Sequence, residues 1–175
     1  MGKRSSGSFE RQKRDFYPTP FSAVEPLLSH LLEKTVFDEP CAGNGALVDH
    51  LESSGHRCLR ATDIEPQRDD VGTFDAFDIE SAYGDCFITN PPWNRKFLHP
   101  LILHLCEIAP TWLLFDADWM HTRQATEYLP YCKKIVSVGR VKWIPDSPHT
   151  GKDNAAWYLF YTRTENSPVD FWGRR

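Results

Sequence analysis

The sequence predicts an α/β fold in which helices cover both faces of a doubly wound, mostly parallel sheet. Short apolar segments that suit buried strands alternate with longer segments whose apolar residues recur every three or four positions, as in amphipathic helices. The last two strand candidates follow each other without a helix between them, so they must pair antiparallel. The 175 residues are enough for one domain with a single core.

The amino-terminal half of the chain predicts helices and strands in alternation. A first helix is predicted over residues 20–34, where Pro26 fits only if the first turn is late or bent. Its apolar face contains Val24, Leu27, Leu28, Leu31 and Leu32. The elements that follow are a strand over 36–38, a helix over 46–53 that stops near Gly55, and a strand over 57–62.

The carboxyl-terminal half continues this alternation and then ends in the two consecutive strands. The predicted elements are strands over 73–76 and 86–89, a helix over 97–108, a strand over 112–115, a short helix within 125–129, and strands over 134–144 and 155–162. The last two strands are joined by the turn-rich segment 145–154. We therefore expect one domain over residues 15–165, between a basic, flexible tail over 1–14 and a carboxyl-terminal tail over 166–175.

The composition excludes several classes of protein. No apolar run approaches the roughly 20 residues needed to cross a bilayer, so the sequence does not predict a membrane protein. The amino terminus is basic but lacks the apolar middle of a secretory signal, which favours a cytoplasmic location. The net charge of −4 argues against a protein that coats nucleic acid by overall charge. Local basic patches, at residues 3–14 and 133–142, would have to make such contacts.

Cysteine and histidine patterns predict no metal site. The five cysteines are odd in number and never spaced as CxxC, so neither a disulfide framework nor a zinc site is expected, and most are interpreted as buried thiols. The seven histidines are scattered without a paired spacing and a carboxylate. We therefore expect no metal cofactor.

Candidate functional residues follow the predicted strands, because ligands of doubly wound sheets bind beyond the carboxyl ends of the strands. The loop 39–45, EPCAGNG, has two glycines that permit a tight turn and a close approach to a ligand, and a helix start follows it. Asp63 follows the next strand and can accept both hydroxyls of a ribose. Asp78 and the segment 116–119, DADW, also follow strands. Taken singly, each of these acids is more commonly a helix cap or part of a solvated loop.

The segment Asn90–Trp93, NPPW, follows the strand over 86–89. The carbonyl oxygen of Asn90 can accept a hydrogen bond from an amino group, and the two prolines fix the backbone so that the carbonyl of Pro91 can be a second acceptor. Trp93 offers a flat apolar face. Two acceptors and an indole suit a planar base with an exocyclic amino group. The alternative is an asparagine in a proline turn followed by a core tryptophan.

The combination of these segments, in this order, resembles the class I methyltransferases that use S-adenosylmethionine. It is most similar to the amino-methyltransferases with an (Asn/Asp/Ser)-Pro-Pro-(Tyr/Phe/Trp) motif, notably phage-type DNA adenine-N6 methyltransferases. The resemblance runs from about Asp15 to Thr162. It implies a Rossmann-like, mostly parallel seven-stranded sheet with an antiparallel carboxyl-terminal hairpin, and S-adenosylmethionine as the cofactor.

The resemblance also implies a role for each matching residue. DFYPTP (15–20) resembles the segment around the methionine end of the cofactor, with Glu39 near its amino group, Asp63 at its ribose and Asp78 facing its adenine. The residues implied to bind the cofactor are Tyr17, Pro18, Thr19, Glu39, Pro40, Cys41, Ala42, Gly43, Asn44, Gly45, Asp63, Ile64, Asp78, Ile79 and Asn90. Those implied in catalysis are Asn90, Pro91, Pro92 and Trp93.

The activity implied by the resemblance is methylation of adenine N6 in DNA, which makes nucleic acid the expected partner. RNA bases (adenine N6 or guanine N2) and the N5 amide of protein glutamine remain alternative acceptors. A non-catalytic subunit that binds nucleic acid or a partner is an alternative of another class. A nucleotide-binding oxidoreductase is disfavoured because the third glycine of GxGxxG is missing. Sequence-selective adenine enzymes carry a recognition domain for which no segment is evident, so selective reading of DNA is not expected.

Overall fold

The computed structural model describes residues 17–144, 151–162 and 168–174, and they form a mixed sheet with helices on both faces. The strands are β1 Val36–Glu39, β2 Arg57–Asp63, β3 Gly72–Thr73, β4 Cys86–Thr89, β5 Thr111–Asp116, β6 Cys132–Arg140, β7 Asn154–Phe160 and β8 Asp170–Trp172. The α-helices are α1 Phe21–Leu28, α2 Ala46–Ser53 and α3 Arg95–Ile108. Single 3₁₀ turns lie at Ala76–Asp78, Ala117–His121, Arg123–Glu127 and Leu129–Tyr131.

The strand order is β3-β2-β1-β4-β5-β7-β6-β8, which confirms the predicted doubly wound fold. Strands β1 to β5 pair in parallel, and the order of connection reverses between β1 and β4. β7 lies between β5 and β6 and is antiparallel to both. We name the edge where β1, β2, β4, β5, β6 and β8 end, and where β7 begins, the carboxyl edge.

The sheet has eight strands within the described residues, whereas the sequence predicts seven. The additional strand is β8, which pairs in parallel with β6 through the register Lys134↔Asp170 to Val136↔Trp172. The sequence analysis left residues 170–172 in a carboxyl-terminal tail because a three-residue strand gives too short a pattern to detect. The predicted amino-terminal tail, 1–14, and most of the hairpin loop, 145–150, lie outside the described residues.

Alternate residues of each central strand pack against opposite layers. Ile88 of β4 and Leu114 of β5 face α1 and α2, whereas Phe87 and Leu113 face the side covered by α3. Because both faces are covered, the strands read as continuous apolar runs in the sequence. Trp157 of β7 joins the layers by donating its indole N–H to the carbonyl of Ala23 in α1, at 2.7 Å.

Several predicted elements differ in their bounds from those observed, three of them for a reason that the structure shows. α1 includes Pro26 and ends at Leu28, because His30 N donates to the carbonyl of Leu27 in a tight turn, and Leu32 is 83% exposed. The strand predicted over 73–76 ends at Thr73, because the Asp75 side chain accepts from Phe77 N at 2.9 Å and starts a 3₁₀ turn. β6 begins at Cys132 and ends at Arg140, just after Gly139, which has φ +85°.

The segment before β4 packs directly on β1. A Cβ atom on Gly84 would lie 2.7 Å from Phe37 Cα and 2.7 Å from the carbonyl of Val36, so only glycine fits this approach. The adjacent Tyr83 N–H donates to the buried Asp38 carboxylate at 2.7 Å. Arg60 of β2 pairs with the same carboxylate at 3.3 Å and thereby connects three segments beneath the candidate site.

All five cysteines are free thiols, as predicted, and three of them are buried. Among the described residues, no helix combines the length and the apolar character needed to span a membrane.

Candidate functional site

A cavity of about 450 Å³ opens at the carboxyl edge, beside β1, β2 and β4, where the strand order reverses. This is the position at which ligands bind in doubly wound sheets. Most of the residues singled out in the sequence line it: Tyr17, Pro18, Thr19, Glu39, Cys41, Ala42, Gly43, Asn44, Asp63, Ile64, Asn90 and Pro92. The glycine loop and the NPPW segment therefore share one cavity.

Six of the singled-out residues do not line this cavity. Four of them are sequence neighbours of residues that line the cavity: Pro40, Gly45, Pro91 and Trp93. Among these, Gly45 and Pro91 are buried. Ile79 is 1% exposed and packs in the core with Phe87, while Asp78 is exposed at the end of a 3₁₀ turn. The proposed contact of Asp78 with a cofactor stays a prediction.

The glycine loop is held in shape by backbone hydrogen bonds. Gly43 and Gly45 have φ values of +53° and +74°, which residues other than glycine rarely adopt. Gly45 N donates to the carbonyl of Ala42 at 2.7 Å, and Asn44 Oδ1 accepts from the first amide of α2 at 3.1 Å. The loop therefore ends as the cap of α2, with its main chain turned toward the cavity.

Asp63 fastens the glycine loop to the end of β2. Its Oδ2 accepts from Gly43 N at 2.9 Å and its Oδ1 accepts from Glu65 N at 2.8 Å. A carboxylate oxygen has two lone pairs, so each oxygen can still accept a further hydrogen bond from a ligand. The chain beyond Asp63 returns to the loop, where Gln67 N donates to Gly43 O at 2.9 Å.

Arg68 covers the outer side of the loop. A Cβ atom on Gly45 would lie 2.4 Å from the guanidinium carbon of Arg68. The guanidinium pairs with Asp49 of α2 at 2.7 Å and with Asp70. Arg68 thus connects the segment after β2 to the first turns of α2, a contact that sequence spacing does not reveal.

The cavity is acidic. Glu39, Asp63 and Glu65 line it, and none of the described residues that line it is lysine or arginine. Glu39 is 2% exposed and its Oε2 has no hydrogen-bond partner in the described structure. Burial, reinforced by the negative charge of Asp63, raises the pKa of Glu39 well above its ordinary value. A ligand that brings a positive charge and donors would relieve both conditions, whereas a pyrophosphate would be repelled.

Cys41 is the one thiol in the cavity lining. Burial and the nearby charge of Asp63 raise its pKa far above the ordinary cysteine value. The thiol is therefore protonated at neutral pH and unsuited to act as a nucleophile.

Asn90 is held from two sides. Its Nδ2 donates to Thr19 Oγ1 at 3.1 Å, and its Oδ1 accepts from the indole Nε1 of Trp93 at 3.3 Å. The same indole N–H also donates to the carbonyl of Leu114 in β5, at 3.1 Å. Asn90 Oδ1 keeps a lone pair for a ligand.

Trp93 is half-buried, with its nitrogen edge directed into the protein. Its ring meets the ring of Trp143 at 87°, with 5.7 Å between the ring centroids. Both tryptophans pack against the core layer that contains α1 and α2. The predicted stacking of Trp93 on a base stays a prediction, and the structure adds a second role in which the indole N–H orients Asn90.

The residues after NPPW fasten this segment to β5. Asn94 caps α3 by accepting from Lys96 N at 3.0 Å, and Arg95 pairs with Asp116 at 3.2 Å. Burial is the main cause that raises the pKa of Asp116, which ends β5. In DADW, by contrast, Trp119 is fully buried and donates to Nε2 of His99 at 3.0 Å, so this tryptophan belongs to the core.

Family models and curated protein sequences give no match to the chain. Solved structures do match. A protein from Pyrococcus horikoshii proposed to be an RNA methyltransferase gives a TM-score of 0.59 at 19% identity, covering 87% of this chain and 91% of the other. A dimethyladenosine transferase from Plasmodium falciparum gives 0.53 at 14% identity, covering 83% and 62%. The M protein of the type I restriction enzyme EcoKI gives 0.54 at 12% identity, covering 83% and 44%. The chain has a methyltransferase fold.

The methyltransferase fold accounts for the place of the cavity, at the reversal of strand order. The chain spans less than two thirds of the transferase from Plasmodium falciparum and of the EcoKI M protein. At identities below 20%, the similarity establishes the architecture alone, and the chemistry must be argued from the side chains of this chain.

Sequence reasoning missed four residues that line the cavity of this methyltransferase fold: Ala46, Leu47, Glu65 and Gln67. Glu65 and Gln67 come directly after Asp63, so the rule that ligands bind beyond strand ends could have included them. Ala46 and Leu47 begin α2, where the sequence pattern indicates only a helix. Over residues 17–144, 151–162 and 168–174, no group of three metal-ligating side chains is arranged to hold a metal ion.

Proposed function

We propose that the chain is an S-adenosylmethionine-dependent methyltransferase that acts on an exocyclic amino group, N6 of adenine in DNA. One observation carries the proposal: Asn90 and the glycine-loop residues Gly43 and Asn44 line the same cavity. A methyl donor held over the glycine loop and an amino group held at Asn90 would then lie within one cavity, as direct transfer requires.

The charges of the cavity fit this cofactor. S-Adenosylmethionine carries a sulfonium, an amino group and a ribose, and when bound it supplies an electrophilic methyl group. Glu39 would accept a hydrogen bond from the amino group through Oε2, which has no other partner among the described residues. Asp63 would accept the ribose hydroxyls with its remaining lone pairs. Ile64, which is 55% exposed at the cavity, would cover the apolar face of the cofactor's adenine.

Asn90 would act on the acceptor. The amino nitrogen of adenine is a weak nucleophile because its lone pair is delocalised into the ring. A hydrogen bond from this amino group to Asn90 Oδ1, and a second to the carbonyl of Pro91, would orient the lone pair toward the methyl group. Both acceptors would stabilise the positive charge that develops on nitrogen. The protonated Cys41 is not needed as a nucleophile, so no covalent enzyme intermediate forms.

A base in RNA is the second candidate acceptor. Of the three similar structures, one is a proposed RNA methyltransferase, one is a dimethyladenosine transferase, and the third belongs to a restriction enzyme. Asn90 binds an amino group in the same way whichever sugar carries the base, so the cavity alone does not separate the two. DNA is favoured by the resemblance of NPPW and EPCAGNG to phage-type adenine enzymes. A protein glutamine is disfavoured because the fourth position of the motif, Trp93 here, is more typically tyrosine in enzymes that methylate glutamine.

The decisive experiment is methyl transfer from labelled cofactor to separate pools of DNA, RNA and protein, followed by identification of the modified nucleoside. We expect N6-methyladenine in DNA. Asn90→Ala should reduce the rate by roughly 100- to 1,000-fold, the loss typical of one charge-stabilising group. Asn94→Ala is the matched control, since Asn94 caps α3 and lies outside the cavity. It should retain most of the activity.

Each other result has a definite meaning. Label in RNA alone selects the second candidate, and label in protein alone refutes the nucleic-acid proposal. Undiminished transfer by Asn90→Ala refutes the assignment of the site. A protein that takes up no cofactor in calorimetry would be a non-catalytic subunit, because the proposal requires binding at Glu39 and Asp63.

A further inference from the structure

The charges along the carboxyl edge separate into two halves. The half that contains the ends of β1 and β2 carries the carboxylates of the cavity, Glu39, Asp63 and Glu65. The half that contains the ends of β6 and β8, together with the start of α3, carries exposed cations. We call this second group the basic edge: Lys96, Arg140, Lys142, Lys152 and Arg174.

Strand directions bring the basic edge together from distant parts of the sequence. β7 is antiparallel to both β5 and β6, so β6 runs parallel to β5, and β8 runs parallel to β6. Arg140 therefore ends β6 on the same edge as NPPW, which follows β4. Lys152 shortly precedes β7, which begins at that edge. Lys96 lies in the first turn of α3, directly after NPPW.

Two local contacts fix the cations near one another. Gly151 N donates to the carbonyl of Val141 at 2.8 Å, which joins the two arms of the hairpin next to Lys142 and Lys152. Arg174 lies over Gly139, where a Cβ atom would be 3.1 Å from its Nη1. The end of β8 thus adds a cation beside the end of β6.

The basic edge is only partly compensated by acids. Among the described residues of this half, Asp116 is paired with Arg95, and Asp118 and Asp153 are exposed carboxylates. None of the five cations forms an ion pair with another described residue. Trp143 lies among them, half-buried against Trp93. Cations interleaved with an aromatic ring are the composition of surfaces that bind a nucleic-acid backbone.

We propose that the basic edge binds the phosphate backbone of the DNA next to the base held at Asn90. This inference rests on the proposed function. It explains how a chain of net charge −4 can engage a polyanion: the acidic half of the edge faces the cofactor and the basic half faces the DNA. The backbone contacts position the strand without reading its sequence.

The test is the salt dependence of DNA binding, measured by fluorescence anisotropy with adenine-containing single-stranded and duplex oligonucleotides. The double variant Lys142→Glu/Lys152→Glu should bind roughly 10- to 100-fold more weakly at about 0.1 M salt. The slope of log K against log salt concentration should fall by about 1 for each contact removed. The matched control is Lys34→Glu/Arg57→Glu, which makes the same change in charge with exposed residues at the opposite edge of the sheet. It should leave the slope unchanged.

Equal losses in the two double variants would overturn the proposal, because net charge alone would then explain the binding. A wild-type affinity in Lys142→Glu/Lys152→Glu would also overturn it. Cofactor binding, measured by calorimetry, should be the same in all variants, since none of these residues lines the cavity. If the wild type binds DNA with the expected slope but transfers no methyl group, the proposed function fails and the basic edge stands.

Discussion

Glu39 destabilises the folded chain by the same feature that suits it to bind a ligand. A buried carboxylate without a full set of hydrogen bonds destabilises the folded chain when it is ionised. The same unpaired oxygen is what a cationic ligand requires. We therefore expect substitutions of Glu39 to have opposite effects on stability and on cofactor affinity.

The variant Glu39→Gln should be more stable than the wild type at pH 7–8, by roughly 1 kcal/mol or about 2–4 °C in Tm. Folding raises the pKa of this acid, so the folded state binds the proton more tightly than the unfolded state. The wild type therefore loses stability as pH rises above the ordinary value of 4.5 toward the raised value. The advantage of Glu39→Gln should accordingly shrink to zero below that ordinary value. Thermal unfolding across a pH series measures it.

Glu25→Gln, on the exposed side of α1, is the control and should change neither the Tm nor its pH dependence. Calorimetry should find that Glu39→Gln binds S-adenosylmethionine about 10- to 100-fold more weakly, the loss of a hydrogen bond to a charged group. Unchanged affinity would mean that Oε2 does not face the cofactor.

Substitutions of Trp93 can distinguish two roles of this residue: stacking of its ring on a bound base, and orientation of Asn90 by its indole N–H. Trp93→Phe keeps a stacking ring and removes the N–H that holds Asn90 Oδ1 and the carbonyl of Leu114. We expect kcat to fall about tenfold, because a freely rotating amide is less often oriented for transfer. KM for DNA should change little. Steady-state kinetics measures both constants.

Trp93→Leu removes the ring as well and should raise KM in addition to lowering kcat. If Trp93→Phe is as active as the wild type, the indole N–H does not position Asn90. Calorimetry with S-adenosylmethionine serves as the control, because Trp93 does not line the cavity and both variants should bind the cofactor normally.

At the scale of elements, β1 supports the site because the segment before β4 packs against its backbone. The contacts at Gly84 involve main-chain atoms of Val36 and Phe37, which cannot move aside as a flexible side chain would. Asp38 and Arg60 add charged hydrogen bonds at the same place. The position of Glu39 at the end of β1 depends on this packing.

Gly84→Ala should therefore cost roughly 1–3 kcal/mol in the free energy of unfolding, the range for overpacking a filled site. Gly72→Ala is the control, since its Cβ atom would make an ordinary contact of 3.4 Å with Thr62. That variant should be close to neutral. Urea denaturation compares the two, and equal losses would show that the approach of Gly84 to β1 adds nothing to stability.

Elements with a strong, uninterrupted pattern could be predicted from the sequence. α2 and β4 have the predicted bounds, because a run of alternating or periodic apolar residues lies between clear stops. α1 is shorter than predicted, since apolar residues recur at helical spacing as far as Leu32, whereas the helix ends in a turn after Leu28. β8 was missed because a three-residue edge strand is specified by the neighbour with which it pairs, β6, and this pairing is not local in the sequence.

At the scale of the whole molecule, the part of the candidate site that could be predicted consists of residues that directly follow strands. Asn90, Asp63 and the glycine loop follow strands, so topology alone brings them to one edge. The contacts of Arg68 with Gly45 and of Trp93 with Leu114 could not be predicted, because each depends on how a side chain packs after the sheet has assembled. The division of charge along the carboxyl edge likewise requires the direction of every strand.

The central position of β7 has a consequence for how the chain is made. β5 and β6 both lie beside β7, yet β7 is synthesised after them, so neither gains that neighbour until residue 160 has left the ribosome. Translation at roughly 5–20 residues per second leaves the outer edge of β5 open for several seconds. An apolar strand with an open edge invites pairing with other chains. We therefore expect nascent chains stalled before β7 to associate with holdase chaperones, whereas chains released after it should not.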